Sequence, residues 1–333
     1  LAIDPREFKN ILLFHFGQLG DVVLALPAIA AVRGRFPAAR ITAVTGLVAG
    51  EVVRLSGLVD EVVAVDRVEL RDGPRLTSIR KIIELARDIR RRDAELVIDL
   101  HSLKETNILA RITRARSRLL SQRGNRSYHW LGNFDPSPPP EDRSLHLSRT
   151  YMRVLGPLGI DHEPEPAAVT PSYGACASVK EKLLNVREPI AGFFPGAGHP
   201  SRCWPLSKFA EVAARLQEAG YSPVVFLGPE EMQMRGAVAQ AFPPGTLVMD
   251  GLGISEFIAA VAQNAIFISN DTGPTHLAAL AGVPLLLIMD KDAPLTYLPL
   301  AKDLRVVNNA SIGEISARDV YSAAMDLLPG VSI

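Results

Sequence analysis

The chain has 333 residues, of which 47% are hydrophobic and 22% charged, with 36 Lys+Arg against 36 Asp+Glu. That length and composition give room for two domains with sizeable cores and exclude a disordered chain. Only two cysteines occur, Cys176 and Cys203, far apart; this excludes a disulfide scaffold or a cysteine zinc cluster and suits a reducing compartment.

The charge is unevenly divided. Residues 1–150 carry 24 Lys+Arg and 18 Asp+Glu, which leaves 12 and 18 for the remainder. A basic N-terminal half fits an anionic partner or a membrane surface, although "RDIRRRDAE" at 87–95 reads by itself as a solvated helix face. Residues 11–32 are apolar, but Asp21 in mid-stretch, the breaks at His15 to Gly20 and Pro27 argue against a membrane span or a signal sequence. The expectation is a cytoplasmic protein.

In chain order, strands are expected at 10–16, 40–46, 61–66, 95–100 and 117–122, with helices at 22–36 and 77–92 between them. The strands are apolar throughout rather than alternating, as in a parallel sheet buried on both faces. "FDPSPPPEDRS" (134–144) reads as an exposed loop, and "GIDHEPEPAAVTPSYG" (159–174), with three prolines, as a linker. The plan then repeats. Strands are expected at 189–194, 222–228, 246–250, 265–270 and 284–289, and helices at 205–219, 231–241, 254–263 and 274–281. Strand–helix alternation predicts two Rossmann-like doubly wound domains, residues 1–165 and 175–333, facing a central cleft.

Three βα turns carry chemistry. In "ISNDTGPTHLAALAGVP" (268–284) a strand turns through Asp271, Thr272 and Gly273 into a helix with Pro274 in its first turn. The helix start favours an anion; a capped turn without ligand is equally consistent. In "FFPGAGHPSRCWPLSKFAEVA" (193–213) a Gly-rich loop leads to Arg202, which can pair with a diphosphate. Trp204 reads as packing and Cys203 as incidental, and the Walker ending is absent. "FGQLGD" (16–21) lacks the dinucleotide fingerprint, so nothing there supports NAD. Asp21 can start a helix or face a substrate. Glu230, after another strand, can accept from a ribose or simply begin a helix.

"ILLFHFGQLGDVVLALPAIAAVRGRFPAARITAVTG", "ELVIDLHSLKETNILARITRARSR", "FFPGAGHPSRCWPLSKFAEVAARL" and "ISNDTGPTHLAALAGVP", in this order, resemble the ADP-heptose:lipopolysaccharide heptosyltransferase family over residues 10 to about 290. The resemblance implies a GT-B fold and an inverting, metal-independent transfer of heptose from ADP-heptose to the inner core of lipopolysaccharide, with no cofactor. It implies Asp21 as catalytic base. It also implies Arg202 (where the family has lysine) on the diphosphate, Glu230 on the ribose, and Ala197, Gly198 and Leu252 along the nucleotide. Asp271 and His276 then contact the donor sugar, with Thr272 and Gly273 on the diphosphate. The implied partners are a nucleotide-sugar donor and an anionic glycolipid acceptor, with peripheral contact at the inner membrane surface and no nucleic acid.

His15, Gly17, Gln18 and the loop "MDKDAPLTY" (289–297) depart from the family pattern. The D-x-D at 290–292 reads as a loop rather than a metal site. A transferase or epimerase using a UDP-sugar, a transferase acting on a different glycan, and a two-lobed sugar-binding protein remain compatible with the same residues.

Overall fold

The protein's structure, a computed structural model, describes residues 8–66, 69 and 75–328. Residues 1–7 and 329–333, which the expected domain limits include, lie outside the described residues. The chain divides into two compact units: Leu1–Ala167 with Thr296–Leu298, and Ala168–Leu295 with Pro299–Ile333.

The first unit alternates β1 (Asn10–His15), α1 (Leu19–Arg35), β2 (Arg40–Gly46), α2 (Leu47–Leu55), β3 (Glu61–Val65), α3 (Arg75–Arg91), β4 (Leu96–Asp99), α4 (Lys104–Ile112) and β5 (Ser117–Leu120), and adds α5 (Leu147–Val154). Its five strands are parallel in the order β3-β2-β1-β4-β5. Ile11 to Phe14 are buried, as is the whole of β4, which is why these strands read as unbroken apolar runs.

The second unit contains α6 (Tyr173–Lys182), β6 (Ile190–Phe194), α7 (Leu206–Glu218), β7 (Ser222–Phe226), α8 (Arg235–Ala241), β8 (Leu247–Met249), α9 (Ile254–Val261), β9 (Asn264–Asn270), α10 (Gly273–Leu280), β10 (Leu285–Ile288), β11 (Leu304–Val307) and α11 (Ala317–Leu327). Its sheet is also parallel, ordered β11-β10-β9-β6-β7-β8. Aromatic residues fill its core. Phe226, Phe257 and Phe267 meet at 5.5–6.0 Å between ring centres on one side of the sheet, and Trp204 and Phe209 meet at 4.9 Å on the other.

In each sheet the strand order reverses at one place, between β1 and β4 and between β6 and β9. Connections leave in opposite directions there, and the gap between the loops at the carboxyl ends of the strands is where ligands bind in open α/β sheets. The registers Phe14↔Asp99 and Phe194↔Ser269 bring the two pairs of strand ends together.

The expected strands are all present, with ends moved by one or two residues. Helix 22–36 begins earlier, at Leu19, so Asp21 lies inside its first turn. Helix 231–241 is shortened to α8 because 229–234 form a 3₁₀ turn.

Candidate functional site

In the first unit the reversal point is lined by Phe16–Gln18 after β1 and Leu100–Leu103 after β4. Asp21 is half-buried, and its Oδ2 accepts the Gln18 N–H at 3.0 Å, which fixes the carboxylate's direction. Gly17 is required where it stands: a Cβ there would lie 2.6 Å from both Asp21 Cβ and His15 Cε1. The Gly17 N–H donates to His15 Nδ1 at 3.3 Å, so that nitrogen is an acceptor.

The buried His15 ring lies 5.1 Å from the His101 ring and 5.0 Å from that of Tyr151, edge-on to the latter. The Tyr151 hydroxyl lies 3.4 Å from His101 Nδ1. Burial raises the phenol's pKa well above its usual value, and the negative charge of Asp21 adds to this. Asp21, His15, His101 and Tyr151 thus form one group at the end of the sheet.

Beneath it lies Asp99, completely buried. Its Oδ1 accepts the Ser102 N–H at 2.7 Å, and its Oδ2 accepts from Thr106 Oγ1 at 2.5 Å and Asn107 Nδ2 at 2.9 Å. Ser102 has φ 48°, an uncommon conformation for a non-glycine residue, and the first of these bonds holds it there. Arg123 secures the same loop from the other side. It donates to the His101 carbonyl at 2.7 Å and to Glu141 Oε1 at 2.8 Å. Despite three donors, burial dominates and raises the Asp99 pKa to about 7.

In the second unit the decisive side chain is Asn270, the last residue of β9 and fully buried. Its Oδ1 accepts the Trp204 backbone N–H at 3.0 Å, and its Nδ2 donates to the carbonyls of Pro195 (2.8 Å) and Gly196 (3.1 Å). Both ends of the loop after β6 are therefore tied to the strand end that carries Asp271. The Trp204 ring is buried and donates through Nε1 to the Ile315 carbonyl at 3.0 Å, as a packing residue does.

Arg202 lies between these ties with its side chain 64% exposed and Nη1 3.9 Å from Asp271 Oδ2. Burial raises the Asp271 pKa and Arg202 opposes the rise. Thr272 is the N-cap of α10, Gly273 and Pro274 begin its first turn, and Gly282 at φ 73° follows its end. His276 is buried on this helix.

The remaining expected residues are spread around the same strand ends. Ala197 is half-buried and Gly198 exposed on the tied loop, and Leu252 is half-buried in the loop after β8. Glu230 is exposed, whereas its neighbour Glu231 is buried, with its carboxylate where Cβ atoms on Gly196 and Gly228 would collide with it. Cys203 is part-exposed, and burial raises its thiol pKa, which does not make a nucleophile. In the D-x-D, Asp290 accepts the N–H groups of Asp292 (3.0 Å) and Ile312 (3.1 Å), one on each oxygen, as a loop-forming aspartate does. Among the described residues no group of three or more His, Cys, Asp or Glu is placed to hold a metal ion.

The residues that the sequence did not single out are Asp99, His101, Tyr151, Asn270 and Glu231. Asp99 and His101 had one visible signal, "VIDLH", an acid and a histidine at the end of an apolar strand. Asn270 sat in the quoted "ISNDTG" next to the residues that were chosen.

The model of glycosyltransferase family 9 (heptosyltransferase) matches residues 82–322. Lipopolysaccharide heptosyltransferase 3 of Escherichia coli is 23% identical, covering 93% of this chain and 96% of its own. A glycosyl transferase family 9 structure from Veillonella parvula DSM 2008 superposes with TM-score 0.87 at 24% identity, covering 98% of both chains. E. coli heptosyltransferase WaaC with ADP-2-deoxy-2-fluoro heptose superposes with TM-score 0.75 at 17% identity, covering 95% of this chain and 99% of its own. The chain belongs to glycosyltransferase family 9: it is a heptosyltransferase-family enzyme with the GT-B fold, two parallel-sheet α/β domains.

Two outcomes follow from the buried ties. Asn270→Ala leaves one N–H and two carbonyls without their partner and is expected to cost about 3 kcal/mol or more in urea unfolding; a loss below about 1 kcal/mol would show that the loop does not need the tie. Asp99 ionises near pH 3.8 when unfolded and near 7 when folded. Below about pH 4 it is protonated in both states; from there to about pH 7 only the unfolded chain gives up the proton, so native stability falls across that window and is level above it. Relative to Asp99→Asn, the wild type should lose up to about 4 kcal/mol between pH 4 and 7. A constant difference across that range would contradict the burial of a titrating carboxyl.

Proposed function

We propose that the chain transfers heptose from ADP-heptose to a sugar of the lipopolysaccharide inner core, in one inverting displacement that needs no metal ion. Family membership supports heptosyl transfer. The name of the E. coli relative supports the acceptor class, and the fluorinated ADP-heptose in the WaaC structure supports the donor.

The observation that carries this reading is the Asn270 tie, which sets Arg202 3.9 Å from Asp271 beside the start of α10. In this reading the second unit, residues 175–333, binds the nucleotide sugar, the first, residues 1–165, binds the acceptor, and 159–174 link them. Arg202 and the first N–H groups of α10 receive the diphosphate, whose negative charge grows as the glycosidic bond breaks. Glu230 takes the ribose hydroxyls, Ala197, Gly198 and Leu252 line the nucleotide, and Asp271 and His276 orient the sugar. Thr272 and Gly273 let the phosphate approach the backbone.

Asp21 removes the proton of the acceptor hydroxyl as it attacks the anomeric carbon, and its charge also stabilises the oxocarbenium-like centre. The hydrogen bond from Gln18 holds the carboxylate in one orientation for that transfer. The acceptor is an anionic glycolipid at the cytoplasmic face of the membrane. Among the described residues no helix is long and apolar enough to cross a membrane.

Asp21→Asn should leave ADP affinity within about twofold and lower turnover by about 10²–10⁴, with EDTA leaving the wild-type rate unchanged. Undiminished turnover would remove Asp21 as the base. Arg202→Ala should weaken ADP binding about tenfold, the value of one charge-assisted hydrogen bond, without lowering the melting temperature of the nucleotide-free protein. Equal stabilisation of the wild type by ADP and UDP in a thermal-shift titration would count against the ADP-sugar donor.

A further inference from the structure

Sheet order determines which helices of the first unit share a layer. α1 and α2 follow strands that step outward from β1 to β3, whereas α3 returns the chain to β4 and α4 continues to β5. With right-handed crossovers, α1 and α2 cover one face and α3 and α4 the other; α1 packs on α2, and α3 on α4.

The exposed apolar side chains are not spread evenly over this unit. Apart from Leu47 and Val48 on α2 and Tyr297 in the segment Thr296–Leu298, the exposed large apolar residues described there belong to the second layer. These are Ile79, Ile82 and Ile83 on α3, Ile108 on α4, and Trp130 on the 3₁₀ turn His129–Leu131, which packs on α4.

On α3 the residues turned inward are Ser78 and Ile89, with Leu85 half-buried between them. Ile79, Ile82 and Ile83 form a separate outer stripe at i, i+3 and i+4, with Arg87, Arg90 and Arg91 exposed beside it. Both acids of the helix, Glu84 and Asp88, are engaged in ion pairs, with Arg80 and Arg92. On α4, Lys104, Ile108 and Arg111 share one exposed face, and Lys104 Nζ lies 5.4 Å over the Tyr128 ring, itself 6.0 Å from the Trp130 ring. Trp130 is 70% exposed.

Isoleucines edged by cations, with a tryptophan at the border, complement an anionic lipid surface. The apolar stems enter the headgroup boundary, the cations meet phosphates, and the indole suits the interface. We propose that the α3–α4 layer of the first unit seats on an anionic bilayer, with Ile82, Ile83, Ile108 and Trp130 entering the headgroup region and the neighbouring arginines lying among the phosphates. α4 begins directly after the loop that carries His101, so this face leads to the candidate site. The link to a lipid-borne acceptor rests on the function proposed above; seating on the bilayer does not.

The full chain is co-sedimented with vesicles of phosphatidylcholine alone and of phosphatidylcholine mixed with phosphatidylglycerol. Binding is expected to the mixed vesicles only, and to fall as salt rises. The double variant Ile83→Asp/Trp130→Asp, matched to wild type in melting temperature and ADP affinity, should bind them at least about tenfold more weakly. Arg87→Glu/Arg90→Glu should lose binding similarly, and Leu184→Asp, an exposed position on the second unit, should not.

Unchanged binding by either double variant, no preference for the anionic vesicles, or dissociation of a dimer by the Asp substitutions would overturn the assignment. The assay needs no turnover. Failed transfer to an acceptor dispersed in detergent would count against the proposed reaction, whereas vesicle binding that survives both double variants counts against this face.

Discussion

The amide of Asn270 is the constraint on which the loop architecture of the second unit depends. The end of β9 lies beside two turns of loop backbone that present an N–H at Trp204 and carbonyls at Pro195 and Gly196, and burial forbids leaving any of them without a partner. Only a side chain that both donates and accepts can serve all three. A carboxylate could not donate and an aliphatic chain could do neither. The consequence is a fixed base for an exposed head: Arg202 keeps an exposed guanidinium, while the backbone on either side of it is tied to the strand that also presents Asp271. Positive charge held in advance, rather than recruited during reaction, stabilises developing negative charge at least cost in reorganisation.

The first unit meets the equivalent requirement with a different group. The loop after β4 offers donors, from the Ser102 backbone and the Thr106 and Asn107 side chains, so an acceptor-only carboxylate suffices. That choice has an electrostatic consequence absent from the amide. The carboxylate must be buried with its charge, and Arg123, which lowers its pKa, does not outweigh desolvation. The loop so held carries His101 to His15 and Tyr151, and the charge of Asp21 reaches the Tyr151 phenol. Burial of this carboxyl therefore makes the stability of the first unit depend on pH.

The parts of this arrangement that sequence revealed are those with local causes. Strands buried on both faces are apolar without interruption, and their limits were legible to within one or two residues. Asp271, Thr272, Gly273 and Pro274 are turn and cap residues whose types are dictated by backbone geometry at their own positions, and Arg202 stood out as a cation in a Gly-rich loop. β11 was missed because "LRVV" is a four-residue edge strand whose arginine is exposed. α2 was missed because it follows β2 without a turn and contains Gly50. Asn270, Asp99 and Tyr151 were not legible, because each is chosen by groups distant in sequence. The Asn270 partners lie 66 to 75 residues away, and no periodicity records them.

The adjacent pair Glu230 and Glu231 shows how a neighbour can separate two identical side chains. The 3₁₀ turn Pro229–Met234 rotates one outward and the other under the Gly-rich loop. The buried one receives the N–H groups of Gly228 and of its own residue, and its pKa is raised by burial and by Glu230 beside it. Its carboxylate fills the volume that a Cβ at Gly196 or Gly228 would need, so the two glycines are explained by packing before any phosphate is invoked. Repulsion between the two acids disfavours bringing Glu230 inward as well, which leaves it directed to solvent and able to accept hydrogen bonds from a ligand's hydroxyls. The outward direction of Glu230 then depends on the acid next to it: replacing Glu231 would relax the glycine loop from beneath and remove the charge that keeps its neighbour outside.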